Sequence, residues 1–229
     1  MAAFSPAASS TFAHRTEAGQ RLARLLRAWR GAPGALVLAL PRGGVPVAAE
    51  VARALGLPLD VLVVRKLGFP QQEEVAMGAI ASGGVSLLLD DEIAAAGVPP
   101  AAVEAVARRE EAELARREAA YRGGLPPLDL AGRTVIVVDD GLATGATLRA
   151  AVAAIRRRGA ARIVAAVPVG DPATCAALER EADEVVCTIA PRQLIAVGAW
   201  YDDFPQLDDD EVRRLLAEAP RPVQQETLP

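Results

Sequence analysis

Short, continuously apolar runs alternate with longer amphipathic stretches along most of the chain. The runs ALVLAL (35–40), LDVLVVRK (59–66), TVIVVDD (134–140), RIVAAVPV (162–169) and EVVCTI (184–189) each predict a strand, and GVSLLLD (84–90) is a further candidate. Helical periodicity occupies the intervals. Residues 14–30 place Leu22, Leu25, Leu26 and Trp29 on one stripe, and 45–56 closes on Gly56. Residues 99–121 start with two prolines and interleave Arg and Glu at i,i+4 spacing, the pattern of a solvated helix face. Further helices are predicted at 146–158, at 171–182 with Asp171 as cap and Pro172 in its first turn, and at 208–219. The segment 67–84, rich in Gly and acidic residues, reads as a loop or weak hairpin.

Apolar strands alternating with helices indicate βαβ units, hence an α/β fold with a mostly parallel central sheet covered on both faces by helices. No repeat or linker divides the chain. A single domain is expected over residues 1–219, with a core at about 34–190, a small hood from 1–33 and 191–219, and a disordered tail at 220–229.

Composition narrows the function classes. The net charge of −4 gives no electrostatic reason to bind nucleic acid. No apolar run is long enough to span a bilayer, and the first residues have no signal-peptide pattern, so a cytoplasmic location without membrane contact is expected. Cys175 and Cys187 lack metal-ligand spacing and read as free thiols. His14 is the single histidine, which argues against a Ser-His-Asp triad or a His-rich metal site. A single lysine, Lys66, stands against 24 arginines and singles itself out as a place where a compact ammonium is needed.

The most informative stretch is VIVVDDGLATGATLRAA (135–151). In a parallel sheet, ligands bind beyond the carboxyl ends of the strands, which is where Asp139 and Asp140 fall. Gly141 to Thr147 then form a loop that runs into a helix N-terminus. Its backbone N–H groups, the freedom of Gly145 and the hydroxyls of Thr144 and Thr147 suit a phosphate. Paired carboxylates would repel that phosphate but accept hydrogen bonds from a neighbouring diol, so the pair and the loop together suit a ribose 5-phosphate. Neither GxxxxGK[ST] nor GxGxxG occurs, which removes the P-loop and dinucleotide-fold readings.

VVDDGLATGATL resembles the phosphoribosyl-diphosphate-binding motif of the type I phosphoribosyltransferases. The resemblance implies that Asp139 and Asp140 face the ribose 2′ and 3′ hydroxyls, while Ala143, Thr144, Gly145, Ala146 and Thr147 cradle the 5′-phosphate. LPRGG (40–44) is similar to the family's diphosphate loop, with Arg42 and the backbone of Gly43 and Gly44 meeting the leaving group. VVRKLGFPQQEEVAMGAIA (63–81) lies where the family has a mobile catalytic loop, which makes Lys66 a candidate cation for the departing diphosphate. More widely, the chain resembles predicted bacterial phosphoribosyltransferases without an assigned base, through Ala18–Leu25, the VRK-LG segment, RREAAYRGG and AVGAWYDDFPQ.

What this implies is transfer of a phosphoribosyl group from 5-phosphoribosyl 1-diphosphate to a nitrogen acceptor, a nucleobase being the expected class, with release of diphosphate. Mg²⁺ would be held by substrate oxygens and waters, with Asp139 and Asp140 the protein groups nearest to it. Ala143 stands where hypoxanthine-guanine-type members carry an aspartate, so a general base must come from elsewhere; Glu73, Glu74, Asp202 and Asp203 are unranked candidates. Trp200, Tyr201 and Asp203 in WYDDF (200–204) are candidates for the acceptor hood, against the plainer reading that these aromatics pack the C-terminal segment. A homodimer is expected. The alternative is a non-catalytic regulator that binds the same diphosphate; a phosphatase or hydrolase acting on a ribose 5-phosphate is a third reading.

Overall fold

The computed structural model describes residues 11–125 and 128–220. Helix α1 (Arg15–Leu25) leads to β1 (Ala35–Ala39), α2 (Gly44–Leu55) and β2 (Leu59–Val61). Then come β3 (Val64–Phe69), β4 (Gln72–Ala81), β5 (Val85–Leu88), α3 (Asp90–Ala95) and the long α4 (Pro100–Arg122). The chain next alternates β6 (Thr134–Val138), α5 (Ala146–Arg157), β7 (Arg162–Val169), α6 (Pro172–Leu178) and β8 (Glu184–Ile189), and the described part closes with α7 (Asp209–Glu218).

Five strands form one parallel sheet in the order β2-β1-β6-β7-β8. Their alternation sorts side chains onto two faces. Val37, Ile136, Val138 and Val164 pack with Leu22, Val51 and Leu216 from α1, α2 and α7. Leu38, Val135, Val137 and Ile163 pack with Leu148, Ile155 and Leu178 from α5 and α6. Burial on both faces explains why these strands read as unbroken apolar runs.

The run LDVLVVRK is divided by the structure. Leu59–Val61 pairs with β1 in the parallel sheet, but Val64 onward leaves it for a separate antiparallel sheet ordered β3-β4-β5. The segment read as a loop or weak hairpin is therefore the centre of a second sheet. Its strand character is hidden because Gln72–Val75 are exposed at the tip while Met77–Ala81 are buried at the base, so no single periodicity spans it. The elements outside the central sheet thus include internal as well as terminal sequence. Helix α5 packs against this second sheet, and α4 braces it through Arg65, whose Nε donates to the buried Glu110 carboxylate at 2.9 Å.

His14 caps α1: its Nδ1 accepts from the Glu17 N–H at 3.2 Å, while the Glu17 carboxylate accepts from the Ala13 N–H at 2.6 Å. Just before it, Phe12 bridges Tyr201 in parallel, with the Phe12 N–H donating to the Trp200 carbonyl and the Asp202 N–H to the Phe12 carbonyl, each at 2.8 Å. The expected tail at 220–229 lies outside the described residues, apart from Pro220, whose carbonyl accepts from the Leu59 N–H at 2.9 Å. Among the described residues, no helix is long and apolar enough to cross a membrane.

Candidate functional site

Strand β6 is buried from Val135 to Val138 and delivers Asp139 and Asp140 just past its carboxyl end. The Asp140 N–H donates to Asp139 Oδ1 at 2.9 Å, which folds the first carboxylate back over the turn. The loop that follows stays tied to the sheet: the Leu142 N–H donates to the Val169 carbonyl and the Asp171 N–H to the Leu142 carbonyl, both at 2.8 Å. Gly145 then takes φ +78°, a left-handed conformation that other residues rarely adopt, and starts α5. Ala143, Thr144, Ala146 and Thr147 are exposed around that helix start, so the loop offers open backbone N–H groups at the positive end of a helix.

The second glycine pair meets the first acidic pair. A Cβ on Gly43 would collide with the Asp140 carboxylate, and one on Gly44 would lie 2.6 Å from the Val138 carbonyl and 2.9 Å from Asp139 Cα. Residues 40–44 therefore lie in van der Waals contact with the end of β6, and α2 begins there with both carboxylates at its N-terminus. The Pro41–Arg42 peptide is cis. Arg42 is exposed, and its Nη1 donates to the Leu207 carbonyl at 2.7 Å.

An ion pair not foreseen from the sequence completes the cluster. Arg15 Nε donates to Asp140 Oδ2 at 2.9 Å, Arg15 Nη1 donates to the Pro205 carbonyl at 2.9 Å, and the guanidinium lies 3.7 Å from the centre of the Phe204 ring. The Tyr201 hydroxyl donates to the Asp140 carbonyl at 2.6 Å, and its ring packs between Phe12 and Phe204. Burial, and then the charge of Asp140, hold the Asp139 carboxyl well above the usual aspartate range. Burial also raises Asp140, opposed by Arg15. Burial beside Asp140 pushes the Tyr201 phenol up, so it stays a neutral donor.

The phosphoribosyl transferase domain matches the chain over residues 22–203. The chain belongs to the phosphoribosyl transferase family.

Several bacterial proteins are similar to it. A Mycobacterium tuberculosis H37Rv protein named "Putative phosphoribosyl transferase" is 48% identical over 210 residues, covering 92% of this chain and 47% of its own length. The chain thus spans about half of that relative. The crystal structure of TT1426 from Thermus thermophilus is similar over 92% of this chain and 99% of its own, at 40% identity and a TM-score of 0.81. A shorter likeness, 47% identity over 57 residues, joins 25% of this chain to 27% of a uracil phosphoribosyltransferase from Nocardioides sp..

The remaining candidates of this phosphoribosyl transferase chain lie apart from the acidic pair or are used in packing. Lys66 sits on β3 and donates from Nζ to the Glu74 carbonyl across the hairpin at 2.8 Å. Glu73 accepts from Arg109 at 3.4 Å. Trp200 is half-buried, whereas Tyr201 is buried, with its ring in the aromatic cluster rather than open for stacking. Asp202 accepts from the Thr11 hydroxyl at 3.1 Å, and Asp203 is exposed, its N–H donating to the Ala13 carbonyl. Among the described residues, no three His, Cys, Asp or Glu side chains gather as a metal site.

Residues that sequence reasoning missed are Arg15, Phe12 and Thr174. Thr174 Oγ1 donates to the Ala143 carbonyl at 2.8 Å and so holds the loop from the α6 side. Arg15 is one of 24 arginines and carried no signal of its own. The scarcity of aromatics pointed at 200–204, and it could equally have pointed at Phe12.

Proposed function

We propose that the chain binds 5-phosphoribosyl 1-diphosphate and transfers the phosphoribosyl group to a nitrogen acceptor, a nucleobase being the favoured class, with release of diphosphate. The observation that carries this reading is the meeting, at the carboxyl end of the parallel sheet, of the carboxylates of Asp139 and Asp140, the 141–147 loop at the start of α5, and the Gly43–Gly44 turn at the start of α2.

Each part matches one piece of the ligand. The loop N–H groups and the hydroxyls of Thr144 and Thr147 bind the 5′-phosphate. The acidic pair accepts hydrogen bonds from the ribose diol and fixes the ring, which is where positive charge develops as the C1–O bond breaks. Gly43, Gly44 and Arg42 are assigned to the diphosphate, on which negative charge collects, and Lys66 on the second sheet is a further candidate cation for it. Mg²⁺ suits this set of hard oxygen donors when held by the diphosphate, whose charge it would neutralise; with Asp140 engaged by Arg15, the chain's own donors are too few for an all-protein cage.

Titration with 5-phosphoribosyl 1-diphosphate and Mg²⁺, followed by a diphosphate-release assay across purines, pyrimidines and other nitrogen nucleophiles, tests the reading. Saturable binding with acceptor-dependent release supports the transferase. Binding without release for any acceptor favours the regulator, and no binding refutes the site.

A further inference from the structure

The chain has two cysteines, and the fold brings them together. Cys175 sits on α6 and Cys187 on β8, and both are buried, at 1% and 0% exposure. Their meeting point is Gly170, just past the end of β7. A Cβ there would lie 2.7 Å from Cys175 Sγ and 3.2 Å from Cys187 Sγ, so the bare backbone leaves both sulfurs in one small space. The two thiols are hydrogen-bonded to each other, and Cys187 Sγ also donates to the Ile189 carbonyl at 3.1 Å. The bond with Cys187 holds the Cys175 thiol below the ordinary cysteine range, against its burial, which makes it the better nucleophile of the two. The same bond, and then burial, push the Cys187 thiol up.

The pair lies directly behind the 141–147 loop. Gly170 bridges Leu142 in parallel, and Leu142 shares the apolar cluster of both cysteines. Thr174, the residue before Cys175, donates to the Ala143 carbonyl at 2.8 Å, and its Cγ2 lies 2.6 Å from where a Cβ on Gly145 would be. Cys187 is fixed in the sheet opposite Val167, whereas α6 has only seven residues. A disulfide is about 2.05 Å long, so joining the sulfurs draws the short helix toward β8 and takes Thr174 with it.

We propose that Cys175 and Cys187 form a reversible disulfide with a peroxide as oxidant, and that this bond loosens the 141–147 loop through Thr174. The effect on ligand binding rests on the phosphate reading of that loop; the disulfide does not. Both thiols are buried, so the oxidant must be small and must enter as the short helix opens locally. The Cys175 thiolate attacks one peroxide oxygen and breaks the O–O bond, and the departing hydroxide leaves as water with the Cys175 proton. The Cys187 sulfur then attacks the sulfenic acid so formed. The S–O bond breaks as the S–S bond forms, and a second water leaves with the Cys187 proton. Two thiols are thereby oxidised to one disulfide, and one peroxide is reduced to two waters.

The test treats the wild type, Cys175→Ala, Cys187→Ala and the Cys175→Ala/Cys187→Ala double variant with hydrogen peroxide. Remaining thiols are alkylated after denaturation and counted by mass, and disulfide-linked peptides are mapped. Backbone hydrogen exchange is followed in 142–147 and 172–178, and ribose 5-phosphate is titrated by calorimetry. The oxidised wild type should lose both alkylatable thiols and link Cys175 to Cys187 within one chain. Exchange in 142–147 should speed, affinity should fall about threefold or more, and dithiothreitol should restore both. Cys187→Ala should stop at the sulfenic acid of Cys175, which dimedone traps. The double variant should show no change of exchange or affinity on peroxide treatment.

Two alkylatable thiols surviving in the oxidised wild type, or a disulfide between two chains, would overturn the site. A disulfide that left exchange in 142–147 unchanged would overturn its link to the loop, as would an equal loss of affinity in the peroxide-treated double variant. These wild-type measurements stand even where an alanine variant folds poorly. If ribose 5-phosphate did not bind the reduced wild type, the phosphate reading would fall, while thiol counts and exchange would still decide on the disulfide and its hold on the loop.

Discussion

The Thr174 hydroxyl donates to the Ala143 carbonyl at 2.8 Å, so the first turn of α6 holds the 141–147 loop from outside. The same hydroxyl lies 3.0 Å from Asp171 Oδ1, and that carboxylate caps α6 by accepting the Thr174 N–H. The loop is therefore set by a neighbouring βα unit as well as by its own glycines. Thr174→Val removes the donor and leaves the shape nearly unchanged. A hydrogen bond of this kind contributes about 0.5–1.5 kcal/mol. Affinity for ribose 5-phosphate should fall by roughly three- to tenfold, measured by calorimetry, while the cap through the backbone N–H survives.

Asp139 and Asp140 should respond oppositely to neutralisation. Burial and the adjacent charge raise the Asp139 carboxyl, so the folded chain keeps this proton in a range where the unfolded chain has released it. Stability then falls as pH rises from the ordinary aspartate value through the raised one, and the full cost applies above it. Asp139→Asn removes that cost. The ligand-free variant should melt higher than the wild type, with the gain widening as pH rises above the ordinary aspartate range. Asp140→Asn removes a burial cost of the same sign, which Arg15 partly offsets in the wild type, but it also leaves the Arg15 guanidinium buried without its carboxylate, a loss of roughly 1.5–3 kcal/mol that is expected to outweigh it. At this size that lowers Tm by roughly 2–4 °C per kcal/mol, which differential scanning calorimetry resolves. Both variants melting on the same side of the wild type would contradict this.

Alanine at Gly43 and at Gly44 separates side-chain crowding from backbone crowding. At Gly44 the new methyl meets the Val138 carbonyl and the Asp139 Cα, which cannot rotate away. Overpacking of this kind costs about 1–3 kcal/mol, and thermal melting should show it. At Gly43 the atoms nearest the new methyl are those of the Asp140 carboxylate, which can turn aside at the expense of its bond to Arg15. Gly43→Ala should therefore cost less stability than Gly44→Ala and still speed exchange at 201–205.

Lys66 stands on the hairpin of the second sheet, where its ammonium meets Glu74. If it acts on the departing diphosphate only as the bond breaks, Lys66→Ala should lower kcat and leave 5-phosphoribosyl 1-diphosphate affinity within about twofold. Single-turnover kinetics with an active acceptor, beside equilibrium binding, checks this. An unaltered kcat would remove Lys66 from the reaction.

The central sheet was legible because its strands are buried on both faces, so that Leu36–Leu40 and Val135–Val138 are apolar at every position. The loop into α5 was legible because its chemistry is local: two acids, a left-handed glycine and two threonines within nine residues of sequence. The second sheet was obscured by the change from exposed to buried partway along β4. The surroundings of Asp140 were obscured for another reason. Arg15, Gly43, Tyr201 and Phe204 come together only through the tertiary fold, and nothing in the residues around Arg15 marks it as the partner of an aspartate 125 positions later.

The bond from Arg15 to the Pro205 carbonyl spans 190 residues, and the one from Thr11 to Asp202 spans 191. On a ribosome, Arg15 emerges long before the surface that receives it. A nascent chain could complete the parallel sheet through β8 and still lack the segment that bears on the acidic pair. Assembly of the sheet and closure of the site are thus separate events in the life of the chain, and the second waits for residues 200–205.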